Sequence, residues 1–357
     1  MQKYNVIGVM SGTSLDGLDI AHCEFNSENN EAYNYQIINA KTFKYKDEWK
    51  DILRYAHDFS ALELVKTNIE YGKYIGEIIN QFVNEYSIDK QNIDFISSHG
   101  HTVFHKPEEG YTLQIGHGGA ISAISNINVI SDFRSMDVAL GGEGAPLVPI
   151  GDYFLFNNYD FCLNIGGIAN ISFKQKDSEM KAFDICAANI ILNYLANQID
   201  LEYDNNGKIA SKGTLSVELF NILNDNSFYA KKAPKSLGRE WIEVNVLNIL
   251  NNFDIPIEDK LNTCVNHIAF QISKIIKNNF TNGIVTGGGT YNDFLISLIK
   301  KYSGTNIHIP NNYTIDFKEA LIFAFLGVLW SENKINCLSS VTGAKKDNIG
   351  GALYKSH

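Results

Sequence analysis

The chain has 357 residues, 45% of them hydrophobic and 20% charged, with a net charge of −10. This is the composition of a globular protein long enough for two domains. Its acidic balance excludes nucleic acid or an anionic membrane surface as the main partner. In chain order, residues 6–10, 18–25 and 33–43 read as three strands, separated by SGTSLDG and NSENNE turns. Leu62, Val65, Ile69, Ile79, Phe82, Val83 and Tyr86 then mark one face of a helix. Short strands are expected at 94–98, 112–115 and 129–133, and a helix over 147–156. A second block opens at Phe161 with FCLNIGGIANISF and KAFDI. Leu261, Val265, Ile268, Ile272, Ile275 and Ile276 give the clearest helical stripe. A strand at 283–286, a helix at 291–301 and an apolar helix at 317–330 complete the pattern. The order predicts a two-domain α/β protein, with the boundary near residues 155–160.

Five cysteines, Cys23, Cys162, Cys186, Cys264 and Cys337, form no CxxC pair and are odd in number. That fits a reducing compartment, and the expected location is the cytoplasm. The apolar run near the N-terminus is too short for a signal peptide, and no run approaches the 18 or so apolar residues of a membrane span.

Three turns share one design: VMSGTSLDG (9–17), NIGGIANIS (164–172) and VTGGGTYND (285–293). Each follows an apolar strand and exposes backbone amides, which suit an anion such as phosphate. Glycine allows close approach and positive φ. Any one of them reads equally well as an ordinary turn; three, spread over both halves, point to a nucleotide clamped between two domains. The chain has neither a GxxxxGK[ST] loop nor a GxGxxG after a strand, which argues against P-loop and Rossmann sites.

Taken together, IGVMSGTSLDGLD, SHGHTVFHKP, TLQIG, DFR, ALGGEGAPLVP, LNIGGIANIS, the FD of FDICAAN, APKSLGRE, VTGGG, EALIFAFLG and SVTGA resemble the anhydro-N-acetylmuramic acid kinases, in family order from residue 7 to 344. The resemblance implies two actin-like (ribonuclease H-like) domains, 1–155 and 156–357, around an interdomain ATP and sugar cleft. It implies phosphorylation of O6 of 1,6-anhydro-N-acetylmuramic acid by ATP while water opens the anhydro bridge at C1. Gly12, Thr13, Ser14, Asp16 and Gly17 would form the first phosphate turn, and Gly166, Gly167 and Asn170 the second. Gly287, Gly288 and Gly289 would lie by the adenosine. Mg²⁺ is expected with ATP, its protein contacts unassigned beyond Asp16 or Asp184 through water. The expected partners are the amino sugar and ATP, without nucleic acid or membrane; a homodimer is left open.

Asp184 is the expected general base, matching the family's catalytic Asp after a strand and before a helix. By position alone it reads as well as a helix cap. His99 and His101 are two residues apart at a strand end and would face one side. With His117 they could form a metal cluster, but Cys and Glu ligands are missing from the pattern. The resemblance instead places His99, His101 and Thr102 at the sugar, with Arg134 and Glu319. His101 stands where the family usually has Gln, and His117 where an Asp is common. His105 belongs to the same loop. Glu319 reads either as an exposed helix residue or, since apolar residues follow it, as a nearly buried carboxylate with a role to explain it. Lys235 and Arg239 match a family motif without an assigned role. The family's D-T-G-P-G-N becomes Asp184-Ile185-Cys186-Ala187-Ala188-Asn189, so the loop beside the base has lost its glycines and proline. Two alternatives remain: an actin-like kinase for another sugar or a non-catalytic nucleotide-binding relative, and a metal-dependent hydrolase built on the histidines.

Overall fold

The computed structural model describes residues 2–27, 33–175, 179–233 and 235–356. Residues 28–31 of the expected NSENNE turn, and Pro234 of APKSLGRE, lie outside them. Two compact units result: Met1–Leu155 with Phe317–His357, and Phe156–Asp316.

In the first unit, β1 (Gln2–Ser11), β2 (Leu18–Ser27) and β3 (Tyr33–Phe43) form an antiparallel meander. β4 (Phe95–Lys106) joins β1 in parallel, and β5 (Tyr111–Ile115) pairs back on β4. β6 (Val129–Ser131) runs parallel to β4. The strand order is therefore β3-β2-β1-β4-β6, closed by a late strand near the C-terminus. In the second unit, β7 (Phe161–Ile165), β8 (Ile168–Lys174) and β9 (Met180–Ala187) repeat the meander. β10 (Asn282–Thr286) and β11 (Asn306–His308) add in parallel beside β7, giving β9-β8-β7-β10-β11. β12 (Ala352–Tyr354) is the late strand, antiparallel on β6. The same order with the same strand senses occurs twice, which is the ribonuclease H-like topology of actin-like proteins.

A parallel pair needs a crossover, and helices supply it by covering the sheet faces. The helix Ala61–Glu85 buries Tyr71, Ile75, Ile79 and Phe82 against Ile7, Val9 and Ile96. Its start is set by a complete capping box between Ser60 and Glu63. In the second unit, the helix Ile257–Ile276 buries Leu261, Val265, Ile268 and Ile272 in a core with Leu163 and Val285. Among the described residues, no helix is long and apolar enough to cross a membrane.

The helix Asn312–Ser331 corrects the expected second domain of 156–357. It is interrupted at Phe317, and residues 317–357 belong to the first unit. The reason is packing. Residues 320–326 are all essentially buried, so this helix needs cover on every side. It finds cover on the β1–β4 face, where the backbone approaches closely. A Cβ on Gly8 would lie 2.0 Å from the Ala320 carbonyl oxygen, and one on Gly327 would lie 2.6 Å from the Phe95 ring.

Candidate functional site

In the first unit, polar side chains gather at the carboxyl ends of β1 and β4. SHGHTVFHK is strand rather than loop, being part of β4. Ser97 and His99 face the Asn312–Ser331 helix: the Ser97 hydroxyl donates to the Phe323 carbonyl, and the His99 ring lies 4.6 Å from the Phe323 ring. Gly100, at φ +75°, and a register shift between Val9 and Ser11 then break the two-residue alternation. His101 consequently points the other way, toward Tyr71 of the Ala61–Glu85 helix. The expectation that His99 and His101 share a side is thereby corrected.

Both rings are neutral, and the neighbours of His99 set its tautomer. His99 Nε2 accepts from Arg134 Nε at 3.0 Å and Nη2 at 2.9 Å, so its hydrogen is on Nδ1, which donates to the Gly100 carbonyl at 2.8 Å. Burial first, and the Arg134 charge second, hold His99 well below the usual histidine range. At His101, Nδ1 lies 3.0 Å from Ser11 Oγ, which accepts from Tyr45 at 2.8 Å. Tyr71 backs Tyr45 at 2.6 Å. Burial lowers the His101 pKa to about 4.

Arg134 directs its third donor, Nη1, to the Gly144 carbonyl at 2.6 Å. Burial lowers its pKa to about 10, with Glu319 acting in the opposite sense. Glu319 itself is exposed, the first of its two readings. The surrounding protein raises its carboxyl pKa, and Arg134 and Lys318 act against that rise. Thr102 is half-buried on β4 and accepts from Gln114. His105 is paired with Thr112, and His117 caps the following helix by accepting from the Ala120 amide. These two are occupied by local structure. Among the described residues, no group of three or more His, Cys, Asp or Glu could hold a metal ion.

The turn after β1 divides into two kinds of residue. Thr13, Ser14 and Asp16 are exposed, and a Cβ on Gly12 would meet nothing closer than Ser14 Oγ at 3.5 Å. Gly17 is different. It is buried, and a Cβ there would lie 2.7 Å from the Phe43 carbonyl. Its lack of a side chain serves β3.

In the second unit, the turns at 166–167 and 287–289 lie side by side. Gly287, at φ +84°, packs on Asn164 and Ile165. Asn189 donates to the Ile165 carbonyl at 3.2 Å and is the neighbour of Gly288. A Cβ on Gly166 or Gly288 would meet its neighbours only at ordinary van der Waals distance, Gly167 meets only the Ile190 side chain, and Gly289 is buried on Ile165. Gly289 is thus a packing glycine. Asn170 is within β8 and not in the turn.

Strand register builds what spacing alone does not reveal. Thr286 pairs with Asn164, Asn164 with Asn170, and Asn170 with Asp184. Residues directly opposite in a sheet share a face, so these four form a polar stripe across β10, β7, β8 and β9. Thr286 and Asn164 were not among the expected site residues; the signal was a polar residue inside the apolar β7 for Asn164 and one closing the apolar run of β10 for Thr286. Thr286 Oγ1 is buried without a hydrogen-bond partner among the described residues.

Asp184 lies inside β9, so neither a helix cap nor a position directly before a helix describes it. No glycine or proline follows to end the strand, and Cys186 and Ala187 continue the pairing with β8. A bulge opposite Ala169–Asn170 leaves Ile185 extra and resets the facing of Asp184. Asp184 is half-buried. Its Oδ2 accepts from the Leu237 amide at 2.8 Å, and its own amide donates to the Lys235 carbonyl at 3.0 Å. Oδ1 has no hydrogen-bond partner among the described residues. Burial raises the carboxyl pKa, and the Leu237 bond partly offsets this. The 235–239 segment thus acts through its backbone: Lys235 Nζ donates to the Phe228 carbonyl, and Arg239 pairs with Glu243 at the surface.

Comparison with known proteins identifies the family. A family model described as anhydro-N-acetylmuramic acid kinase matches residues 4–356. A relative of that name from Sulfurimonas denitrificans is 32% identical, over 98% of this chain and 99% of its own. One from Clostridioides difficile is 33% identical over 97% of each chain, and one from Francisella tularensis subsp. novicida 32% over 99% of each. Among solved structures, an activator of the 2-hydroxyisocaproyl-CoA dehydratase from Clostridium difficile with bound ADPNP overlaps 92% of this chain and 97% of its own, at a TM-score of 0.45 and 13% identity.

Proposed function

The chain belongs to the anhydro-N-acetylmuramic acid kinase family, and from that premise we propose that it transfers the γ-phosphoryl group of ATP to O6 of 1,6-anhydro-N-acetylmuramic acid while water adds at C1. The product is N-acetylmuramic acid 6-phosphate, which serves cell-wall recycling. The observation that carries the reading is the Asp184 carboxylate, with Oδ2 anchored by Leu237, Oδ1 unpartnered and its pKa raised. A base of this kind takes a proton from water as C1 becomes oxocarbenium-like, as in an inverting glycosidase. The water oxygen bonds to C1, the C1–O6 bond breaks, and O6 keeps the electron pair. O6 bonds to the γ-phosphorus as the bond to ADP breaks, which removes the need for a free alkoxide leaving group.

Gly12, Thr13 and Ser14 offer amides and hydroxyls to the phosphates, as do Gly166 and Gly167. Gly288, exposed and with only the Asn189 side chain within 4 Å of an added Cβ, would lie by the adenosine. Mg²⁺ fits the donor set through water, at the exposed Asp16 or the unpartnered oxygen of Asp184, and supplies charge neutralisation on the phosphates. His99, His101, Thr102, Arg134 and Glu319 bind the sugar. The five cysteines are buried and form no disulfide among the described residues, which suits the cytoplasm.

The test is ADP release across a panel of sugars, with the reaction repeated in oxygen-18 water. ADP release should depend on the anhydro sugar, and the label should appear at C1 and not in phosphate. A second reading, a kinase for another sugar, draws on His101 and the altered 185–188 segment. Turnover with a different panel member, and none with the anhydro sugar, would establish it. No turnover with any sugar would reduce the protein to a nucleotide binder.

A further inference from the structure

Asp137 is fully buried, and no cation pairs with it among the described residues. An unpaired buried carboxylate is costly unless hydrogen bonds satisfy it. Here four donors do so, divided by oxygen. Oδ1 accepts from the Cys337 thiol at 3.0 Å, the Thr342 hydroxyl at 2.9 Å and the Asn348 amide at 2.8 Å. Oδ2 accepts from the Gly144 amide at 2.8 Å. The Oδ1 side secures the C-terminal segment. The Oδ2 side reaches the ALGGEGAP loop, where Gly142 is so near that an added Cβ would lie 2.3 Å from Oδ2. The peptide held through Gly144 N–H is followed by the Gly144 carbonyl, which receives Arg134 Nη1 at 2.6 Å.

We infer that Asp137 is a positioning residue for Arg134, acting through Gly144, whose N–H it accepts and whose carbonyl fixes the guanidinium. The inference rests on the proposed role of Arg134 at the sugar. Arg134 has three anchored donors, two on His99 and one on Gly144. Gly144 is a loop residue at φ +65° with no sheet partner, so its carbonyl direction depends on what holds its neighbours. A charged acceptor gives that hold roughly twice the strength of a neutral one. The motifs DFRSMD, ALGGEGAP and SVTGA thereby share one physical purpose: the first contributes Asp137, the second Gly144 and the third Thr342.

The division by oxygen supplies the test. In Asp137→Asn, the amide oxygen keeps the three-donor side, because the opposite flip would set an NH₂ against three donors. The NH₂ then faces the Gly144 N–H, and that arm is lost. The KM for the anhydro sugar should rise about three- to tenfold, the worth of one hydrogen bond, with the KM for ATP unchanged. Cys337→Ala weakens only the Oδ1 side; it should lower the melting temperature and leave the sugar KM where it was. Combined with Arg134→Ala, Asp137→Asn should add nothing further to the sugar KM, because both act through one group.

If Arg134→Ala raises the sugar KM and a folded Asp137→Asn does not, the positioning role is overturned while the reading of Arg134 stands. If Arg134→Ala itself leaves the sugar KM unmoved, that reading falls and takes the inference with it. Should Asp137→Asn not fold, hydrogen exchange in the native protein decides: the Gly144 amide should be protected relative to that of Ala145, which donates no hydrogen bond among the described residues, and equal exchange at the two would overturn the proposal.

Discussion

In the first unit, the polar atoms at the end of the sheet are held almost everywhere: Arg134 by His99 and Gly144, His99 by Arg134 and Gly100, His101 by Ser11. In the second unit, at the corresponding end of the same strand order, Gly166 and Gly288 meet their neighbours only at van der Waals distance, and Asp184 keeps one oxygen without a partner among the described residues. The difference teaches how one topology serves two tasks. A side that recognises a ligand gains from groups fixed beforehand, because less freedom is lost on binding. A side that moves a proton needs a group with an unfilled acceptor and a pKa raised toward working pH.

Four experiments break or sharpen this contrast. Asp184→Asn preserves the Leu237 bond yet cannot take a proton, so kcat should fall about 10²–10⁴-fold, with sugar and ATP binding retained. Single-turnover and binding measurements together check this. In the unaltered enzyme, kcat should decline as pH falls through the raised Asp184 pKa.

The second concerns acid. His101 is lowered from 6.5 to about 4, and His267 of the second unit from 6.5 to about 3, both by burial. Between the unfolded and folded values the unfolded chain binds more protons, so stability is full above about pH 6.5 and is lost as pH falls toward 4. The loss should reach several kcal/mol, because each tenfold difference in proton affinity between the folded and unfolded chain is worth roughly 1.4 kcal/mol. Urea unfolding at a series of pH values measures it. His101→Gln should flatten the first unit's share of that slope and His267→Gln the second's. A slope that neither variant changes would contradict the neutral-histidine account.

The third is Arg134→Ala. Losing a charge-assisted contact should weaken sugar binding by roughly 1.5–3 kcal/mol, measured by calorimetry, with ATP binding little changed. Equal losses for both ligands would erase the proposed split between recognition and phosphate contact. The smallest effect is a control far from either site. Ser60→Ala removes the capping box of the Ala61–Glu85 helix and should cost about 1 kcal/mol of stability without altering kinetics.

Much of the architecture was legible in the chain itself. Alternating apolar residues marked β1, β2 and β7, a helical stripe from Leu261 to Ile276 marked the main helix of the second unit, and the glycine turns marked the strand ends. These signals are local, because side-chain periodicity is a property of one element. The family motifs also singled out Asp184, Arg134 and His99 before any geometry was known. Spacing could not sort Gly12, which borders open space, from Gly17, which is filled by the Phe43 backbone. Nor could it turn His101 away from His99, since that depends on Gly100 at positive φ and a shifted register with β1. Tertiary structure alone returned residues 317–357 to the first unit, because an all-apolar helix takes whichever face covers it. It also joined Asp137 to Asn348 across 211 positions of sequence. No periodicity links residues so far apart; a buried carboxylate selects its donors by which backbone the fold brings within hydrogen-bond reach.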